Sequence, residues 1–416
     1  MSQLAVPQWP SASRLRRLAA TLGPGLVVML ADTDAGSVLT AAQSGAQWGY
    51  RLLLLQFLII PLLFIVQELT VRLALSTGKG YSELILQRFG RGWAQLSCAA
   101  LVVSCFGALL TEMSGLAGVG QLYGVPVWQS VALVAGLILL MVCSGSYRSV
   151  ERVAMLFGVA ELAFLYMAWH AGPDWQHIRQ QALQMPVHDP SYLYLLAANL
   201  GSSIMPWTVF YQQSALIDKG LDLRDLRAAR LDTMLGAVLC QLVTAAVLIA
   251  SAAVFAGHGG VVLDTVPELA DAFGRVLGPW AGRLLFALAL SGGALVATIV
   301  VCLSAAWALG EMRGTRHALA QHPLQAPWFY GAFALMLLAA ALTVVLSPSL
   351  VRLSIATAVL NALLLPLVLG FLFWLARSEL PAALRLQGLY AVAVGILFLL
   401  TGGLGLYAGV TGALHG

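Results

Sequence analysis

Two carboxylates, Asp32 and Asp34, lie two positions apart inside an otherwise apolar stretch that runs from residue 22 to residue 47. A stretch of this length can cross a bilayer as a helix. An ionised aspartate at the bilayer centre costs about 2.5–3.5 kcal/mol on insertion scales, so two of them require a compensating partner or a wet cavity. The pair therefore predicts a functional site rather than a structural feature, with Asp34 as a source of negative charge.

A second interruption lies in the apolar stretch 191–217, where Gly201 and Ser202 precede Met205 and Pro206. A proline inside a helix removes a backbone hydrogen bond and kinks or breaks the helix. Both stretches are therefore predicted to be interrupted near the middle of the membrane. Carbonyl groups freed at the end of a half-helix carry partial negative charge and favour a cation. Together with the carboxylates, the two interruptions predict a positively charged ligand.

The composition indicates the class of protein. Hydrophobic residues make up 60% of the 416-residue chain and charged residues 10%, compared with about 45–50% and about 25% in ordinary soluble domains. So few charges cannot cover the surface of a water-soluble particle of this size, and we predict a polytopic membrane protein. The net charge of +4 is small, and we expect no nucleic-acid partner. The five cysteines lie in apolar stretches without a C-x-x-C pair, which is typical of buried small hydrophobes.

Stretches of about 20 mostly apolar residues, the length that a helical span needs, occur eleven times. The two interrupted stretches are the first and the sixth, so each opens a set of five. Paired interruptions at matching places in two halves are typical of transporters built from inverted repeats, which bind substrate near the midplane. The predicted fold is all-α, with two inverted five-helix repeats, broken helices 1 and 6, and an eleventh helix. The predicted spans are 22–47, 50–75, 95–122, 126–146, 151–170, 191–217, 232–256, 281–309, 327–346, 350–376 and 387–413.

The loops divide the lysine and arginine residues unevenly. Seventeen of the 22 fall on the side of the N-terminus and five on the other side. The positive-inside rule then places the N-terminus in the cytoplasm and, after eleven crossings, the C-terminus outside. We expect a multi-pass protein of the inner (plasma) membrane, with the lipid bilayer as partner and the oligomeric state left open. The predicted segments are a cytoplasmic N-terminal segment 1–21, a first repeat 22–170, an external loop 171–190, a second repeat 191–376, and the eleventh helix with an external C-terminus 377–416.

Over most of spans 1–6 the sequence resembles the natural-resistance-associated macrophage protein (NRAMP) family of divalent metal transporters. The first helix of that family carries Asp-Pro-Gly-Asn followed by Gly-Ala-Gln, and span 1 has Asp-Ala-Gly-Ser at 34–37 and Gly-Ala-Gln at 45–47. Span 6 has Met-Pro-Trp at 205–207, where the family typically has Met-Pro-His. The resemblance implies a LeuT-type fold and transport of a divalent ion by rocking of helices 1 and 6. Further similar positions are Arg72, Thr77, Gly78, Lys79, Glu112 to Gly115, Tyr123 to Pro126, and Arg148 with Glu151.

The resemblance also implies a set of metal ligands. Members of the family hold the ion with the aspartate and asparagine of helix 1 and with a methionine sulfur and a backbone carbonyl of helix 6. In this chain those positions are Asp34, Ser37, Met205 and the carbonyl of Ser202. The serine is shorter than an asparagine but still offers an oxygen. Asp32 is an additional carboxylate that would point about 200° away from Asp34 on a regular helix, so both face one ion only where the helix is unwound.

The retained methionine bears on the choice of ion. A soft thioether favours Mn²⁺ or Fe²⁺ over Mg²⁺ and Ca²⁺, which prefer all-oxygen shells. We therefore predict Mn²⁺ or Fe²⁺ as the transported substrate, with no resident cofactor and no enzymatic activity. The alternatives are a Mg²⁺-type transporter of the same family, a transporter of an organic cation or another solute with the same fold, and a metal-binding membrane sensor that does not transport.

Proton coupling is predicted to be weak or absent. Proton-coupled members of the family use histidines on the inner half of helix 6, and here those positions are Trp207 and Gln212. No histidine lies in the middle of a predicted span, so no imidazole is available there to titrate near neutral pH. Glu112 in span 3 is a candidate proton carrier. Asn361 in span 10 is a candidate pathway residue that fits an interhelical hydrogen bond equally well, and Glu161 is expected to be a buried, hydrogen-bonded acid.

Overall fold

The computed structural model of the protein describes residues 23–143, 158–255, 261–263, 265–313, 327–347 and 349–415. Each of the eleven predicted spans contains helix within these residues. The segment 1–21 and the positions Arg148 and Glu151 lie outside them. The α-helices are α1 (Pro24–Asp32), α2 (Ala35–Trp48), α3 (Leu53–Thr77), α4 (Tyr81–Phe89), α5 (Arg91–Leu122), α6 (Val127–Cys143), α7 (Ala163–His170), α8 (Trp175–Gln181), α9 (Pro190–Ser203), α10 (Pro206–Asp218), α11 (Leu226–Val254), α12 (Val266–Leu277), α13 (Pro279–Arg313), α14 (Pro327–Leu346), α15 (Leu350–Ser378) and α16 (Gly388–His415).

The long helices have the length and apolar composition that membrane crossing requires. Seven stretches of the described chain meet both conditions, and two shorter apolar helices, Val127–Leu140 and Tyr330–Leu346, accompany them. The first stretch, Ala35–Thr77, contains two helices because Gly49 ends α2 with a φ of 61°, in the left-handed region that glycine adopts readily. A 3-10 helix, Gly49–Leu52, follows. Span 2 therefore begins as an α-helix at residue 53 and not at residue 50.

Span 1 is interrupted where the two aspartates predict it. α1 ends at Asp32, and α2 begins at Ala35. Asp34 has an extended backbone with φ −78° and ψ 177°, and its side chain accepts a hydrogen bond from the Ser37 backbone N–H at 2.6 Å. This is the geometry of an N-cap, in which an acidic side chain satisfies a free N–H at the start of a helix. Asp34 thus starts α2 and faces the interruption.

Span 6 is interrupted in the same manner. α9 ends at Ser203, and the backbone is non-helical at Ile204 and extended at Met205, with φ −90° and ψ 141° at the methionine. Pro206 then occupies the first position of α10. Proline is well suited to that position because its N–H has no helical partner there and its φ is already helical. The prediction that helices 1 and 6 are both broken is confirmed.

The interrupted helices lie inside the bundle and pack against long helices. α11 packs along α1, α2 and α3, and α9 packs against α15 and α16. α9 and α15 approach closely because Gly201 has no side chain, and a Cβ there would clash with the Ala358 carbonyl oxygen. Small residues allow helix backbones to come together in this way in membranes. Gly201 thereby holds the end of α9, next to the interruption, against span 10.

A group of three charged side chains joins span 2 to span 7 on the side predicted to be cytoplasmic. Glu68 of α3 accepts hydrogen bonds from Arg72 Nε and Arg230 Nε, both at 2.6 Å. Arg72 also donates to the Leu384 carbonyl at 3.1 Å, in the loop before α16. The Glu68 side chain is 4% exposed. The carboxylate therefore ties α3, α11 and the approach to α16 together.

Candidate metal-ion site

The two interruptions meet at the side chain of Ser37. Its hydroxyl lies 2.7 Å from the Asp32 carbonyl oxygen, at the end of α1, and 3.0 Å from the Ser202 carbonyl oxygen, at the end of α9. The helical partner of the Ser202 carbonyl would be the N–H of residue 206, which is a proline and has none. Pro206 therefore leaves the carbonyl of Ser202 available to the site.

The four predicted ligands are buried. Asp34, Ser37, Ser202 and Met205 are each at most 3% exposed. Asp34 caps α2 through one oxygen, but a carboxylate has about four lone-pair positions, so it keeps capacity for a cation. Since Asp34 sits at the N-terminus of α2, the partial positive charge of that helix end also stabilises its negative charge. The structure thus places a stabilised carboxylate beside Ser37, whose hydroxyl contacts the backbone oxygens of Asp32 and Ser202.

Met205 is held through both its backbone and its side chain. The Thr208 hydroxyl donates to the Met205 carbonyl at 2.8 Å, and Gln67 Nε2 donates to the Thr208 hydroxyl at 2.8 Å. Trp207 donates its indole N–H to the Met205 sulfur at 3.2 Å. Gln67 and Thr208 were not predicted from the sequence, although a glutamine in the middle of an apolar span indicates a buried polar contact.

Asp32 and Asp34 have different surroundings. α1 ends between them, and the Asp32 carboxyl oxygen Oδ2 lies 3.7 Å from the Cys240 sulfur of α11. Asp32 Oδ1 has no hydrogen-bond partner among the described residues. The backbone carbonyl of Asp32, and not its carboxylate, is the group that contacts Ser37. Asp32 therefore borders the site through its main chain and directs its side chain to span 7.

Glu112 lies directly beside the site. Its Oε2 accepts a hydrogen bond from the Ala35 backbone N–H at 3.1 Å, at the start of α2. Its Oε1 has no partner within the described part of the chain, and the side chain is fully buried. The Glu112 and Asp34 side chains also interact with each other. The candidate proton carrier of span 3 is thus in contact with the carboxylate that is the main candidate ligand.

Two other residues that the sequence singles out make contacts between helices. Gln212 of α10 donates to the Thr233 hydroxyl of α11 at 2.8 Å. Asn361 of α15 accepts from the Ser104 hydroxyl of α5 at 2.7 Å. Of the two roles left open for Asn361, the structure shows the interhelical hydrogen bond. Both residues hold the bundle together around the interruptions.

Glu161 is buried as expected, with 1% exposure, and its side chain interacts with that of Thr33. The Thr33 hydroxyl also donates to the Met29 carbonyl at 3.2 Å. Its neighbour Thr33 belongs to the interruption of span 1. A buried acid therefore lies close to the site, and no role for it follows from the sequence.

The donor set of the site is mixed. In the parts of the chain that the structure describes, no group of three or more His, Cys, Asp and Glu side chains is placed to hold a metal ion. The ligands predicted from the sequence are instead one carboxylate, one hydroxyl, a backbone carbonyl oxygen and one thioether. This combination offers oxygen ligands for a divalent cation and one soft ligand that prefers a transition metal.

Comparison with known proteins identifies the family. Residues 25–411 match the family model described as natural resistance-associated macrophage protein-like, Nramp. The chain belongs to the Nramp family. The divalent metal cation transporter MntH 1 of Pseudomonas aeruginosa is 32% identical to this Nramp chain over 308 residues, which are 71% of this chain and 68% of that protein. The family resemblance inferred from the sequence is confirmed.

Solved structures show the same fold. The Eremococcus coleocola manganese transporter, in complex with an aromatic bis-isothiourea substituted compound, matches the Nramp chain with a TM-score of 0.77 at 20% identity, over 98% of this chain and 89% of that one. Mhp1, a nucleobase-cation-symport-1 family transporter, matches with a TM-score of 0.60 at 15% identity, over 95% and 91%. Identities this low establish the architecture alone. The predicted all-α fold of two inverted five-helix repeats with an eleventh helix is confirmed.

Proposed function

We propose that this protein is a secondary transporter that carries a divalent metal ion, Mn²⁺ or Fe²⁺, across the membrane by alternating access. The observation that carries the proposal is the meeting of two interrupted helices at the Ser37 hydroxyl, 3.0 Å from the Ser202 carbonyl oxygen. Asp34 supplies negative charge beside them, and Met205 supplies a sulfur. The names of the relatives, a divalent metal cation transporter and a manganese transporter, support a metal ion over an organic cation.

The oxygens of the site suit a divalent ion. The Asp34 carboxylate, the Ser37 hydroxyl and the Ser202 carbonyl, which contacts that hydroxyl, are oxygen ligands of the kind that Mg²⁺, Ca²⁺ and Mn²⁺ accept.

The Met205 sulfur separates the remaining candidates. Mg²⁺ takes oxygen ligands and retains several waters, whereas thioethers suit softer transition metals. The sulfur and the carbonyl of Met205 are each fixed by a hydrogen bond, from Trp207 and Thr208 respectively. A Mg²⁺-type transporter is the second candidate, because the oxygen ligands alone suit that ion.

Closure on both sides of the site supports alternating access. On one side, Asp232 of α11 accepts hydrogen bonds from the Gly23 and Gly25 N–H groups at the start of α1, at 3.2 and 2.7 Å. On the other side, Gln43 of α2 accepts from the Leu263 N–H at 2.9 Å. In the proposed orientation, with the N-terminus in the cytoplasm, the first contact is internal and the second external. Opening to either side requires one set of bonds to break while the other holds.

We infer that proton coupling is weak or absent. Trp207 and Gln212 occupy the positions where proton-coupled members of the family have histidines, and both donate hydrogen bonds to neighbouring side chains. Neither side chain exchanges a proton near neutral pH. Glu112 is the candidate that is left, and one of its oxygens is engaged as an acceptor by the start of α2.

The test is a transport panel with the full-length protein in liposomes that contain a pH dye. We expect saturable uptake of Mn²⁺ and Fe²⁺, poor competition by Mg²⁺ and Ca²⁺, and no metal-dependent acidification at neutral pH. Asp34→Ala should abolish uptake. Asp174→Ala is the matched control, because Asp174 lies exposed in the loop before α8 and its substitution should leave uptake unchanged.

Each outcome decides a different part of the proposal. Undiminished uptake by Asp34→Ala would reject the site. Mg²⁺ competing as well as Fe²⁺ would favour the Mg²⁺-type transporter. Metal-dependent acidification would reject the inference on protons and leave the metal site intact. Metal binding without uptake would indicate a sensor.

A further inference from the structure

The indole of Trp207 is in direct contact with the sulfur of the candidate site. The distance from Trp207 Nε1 to Met205 Sδ is 3.2 Å, and the two side chains are 0% and 2% exposed. A buried indole N–H requires an acceptor. Here that acceptor is a thioether, which is a weak acceptor and also the soft ligand of the site. The Met205 sulfur therefore accepts the indole N–H and is also the proposed ligand of the metal ion.

We propose that Trp207 is a specificity-determining residue that restrains the Met205 sulfur and reduces its attraction for soft divalent ions. The inference rests on the proposed function and concerns the choice among metals at that same site. The hydrogen bond withdraws electron density from one lone pair of the sulfur and fixes the direction of the other. Soft ions such as Cd²⁺ gain the most from a thioether, whereas Mn²⁺ is bound mainly by oxygens. The N–H therefore weakens binding of Cd²⁺ more than binding of Mn²⁺.

The local backbone makes this contact possible. Met205 is extended, with φ −90° and ψ 141°, and Pro206 starts α10 immediately after it. Trp207 thus lies in the first turn of α10, two positions from the sulfur-bearing residue. The Thr208 hydroxyl donates to the Met205 carbonyl at 2.8 Å. This bond restrains the backbone of Met205 next to the indole. The indole reaches the sulfur because the chain is unwound between α9 and α10.

A double-mutant cycle isolates the contact. Trp207→Phe removes the N–H and keeps an aromatic ring, and Met205→Ala removes the acceptor. The dissociation constants of Cd²⁺ and Mn²⁺ are measured by titration calorimetry on the wild type, both single variants and the double variant. We expect Trp207→Phe to raise the preference for Cd²⁺ over Mn²⁺ by about threefold to tenfold, the range for one hydrogen bond. In the Met205→Ala background the same substitution should change that preference by less than about twofold.

The outcomes separate this inference from the proposed function. If the wild type binds neither ion, or if Asp34→Ala binds both normally, the proposed function fails. If the wild type binds Mn²⁺ and Met205→Ala weakens Cd²⁺, but Trp207→Phe leaves the preference unchanged, the specificity role is overturned and the metal site stands. An equal change in both backgrounds also overturns it, because the effect then does not pass through the sulfur.

Folding is controlled for within the same set. Trp307→Phe changes another buried tryptophan, which packs against Tyr211 with 5.5 Å between ring centroids, and should leave the preference unaltered. Trp207→Leu is a second variant that lacks the N–H, for use if the phenylalanine variant does not yield folded protein. Agreement between the two variants supports the role of the N–H. A change with leucine but not with phenylalanine would assign the effect to ring volume and contradict the proposal.

Discussion

Replacing Ser37 with alanine tests the point at which the two interruptions meet. The hydroxyl lies 2.7 Å from the Asp32 carbonyl oxygen and 3.0 Å from the Ser202 carbonyl oxygen. A hydroxyl has one hydrogen, so it donates mainly to the nearer oxygen and keeps lone pairs for an ion. Ser37→Ala removes this link and leaves a buried acceptor without its donor.

The expected effects follow from these contacts. A buried acceptor that loses its donor costs about 1–3 kcal/mol of folding stability. The variant also lacks one oxygen ligand, and we expect Mn²⁺ to bind about tenfold more weakly, which corresponds to about 1.4 kcal/mol. The backbone N–H of Ser37 still donates to Asp34 in the variant, so α2 keeps its cap. The loss of affinity should therefore be partial and smaller than that of Asp34→Ala.

The measurements are thermal unfolding of the purified protein and calorimetric titration with Mn²⁺. Ser251→Ala is the matched control, because the Ser251 hydroxyl donates to the Ala42 carbonyl at 2.6 Å and so joins α11 to the same span by the same kind of bond. Ala42 is eight residues from Asp34, about 12 Å along the axis of α2 from the interruption. We expect both variants to melt earlier and only Ser37→Ala to bind Mn²⁺ more weakly. Equal Mn²⁺ affinity in the two variants would refute a ligand role for the hydroxyl.

Three further predictions test the site and the scaffold. Met205→Ala should weaken Mn²⁺ binding about tenfold and Mg²⁺ binding by no more than about twofold, measured by competition, because only the softer ion gains from the sulfur. Glu68→Gln should lower the free energy of unfolding by about 2–4 kcal/mol, measured by thermal unfolding, because it leaves Arg72 and Arg230 without their shared carboxylate. Arg230 is partly exposed, so this decrease should be smaller than for a fully buried ion pair. The pKa of Asp189 is lowered from 3.8 by hydrogen bonds from the Ser191 hydroxyl and from N–H groups at the start of α9. Asp189 therefore stabilises the protein at a pH above its unfolded pKa, and this stabilisation is lost as the pH falls through the lowered pKa. Asp189→Ala should remove that part of the dependence of the melting temperature on acid pH.

The positions of the two interruptions could be predicted because single residues cause them. Pro206 has no N–H to give, and this breaks the ladder of span 6 whatever surrounds it. The aspartates of span 1 act in a similar way, since a short acidic side chain satisfies free N–H groups best at the start of a helix. Asp34 does so in the structure, through the N–H of Ser37. Local chemistry was therefore sufficient to place both breaks.

The directions of the side chains depend on packing that no local pattern contains. Asp32 and Asp34 have the same chemistry, yet Asp34 caps α2 while Asp32 faces Cys240 of α11. The choice depends on where span 7 lies against span 1, which is a long-range contact of about 200 residues in sequence. The contact of the Trp207 indole with the Met205 sulfur likewise depends on the extended backbone between them. The sequence shows that Trp207 and Gln212 stand where other members of the family have histidines. It does not show that the Trp207 indole contacts the Met205 sulfur.

Two short helices between spans, α4 and α8, were not predicted from the sequence pattern. α4 and α8 contain nine and seven residues, too few for a hydrophobic period to stand out from loop sequence. α4 packs against α10 on the side predicted to be cytoplasmic. Its Ser82 N–H donates to Glu311, which also accepts from the Ser214 hydroxyl of α10. Glu311 thus joins α10, the second half of broken helix 6, to α4, which was not predicted from the sequence.

The internal contacts of the site bear on how such a carrier would return without its substrate. Asp34 is compensated by protein groups, because it accepts the Ser37 N–H and lies at the positive end of α2. The two interruptions are joined by the Ser37 hydroxyl, a bond that requires neither a metal ion nor a proton. A carrier whose carboxylate needed a proton before it could be enclosed would have to couple its return step to protons. In the proposed mechanism these contacts supply part of that compensation, and any proton that takes part in the return step would be carried by Glu112, whose side chain contacts Asp34.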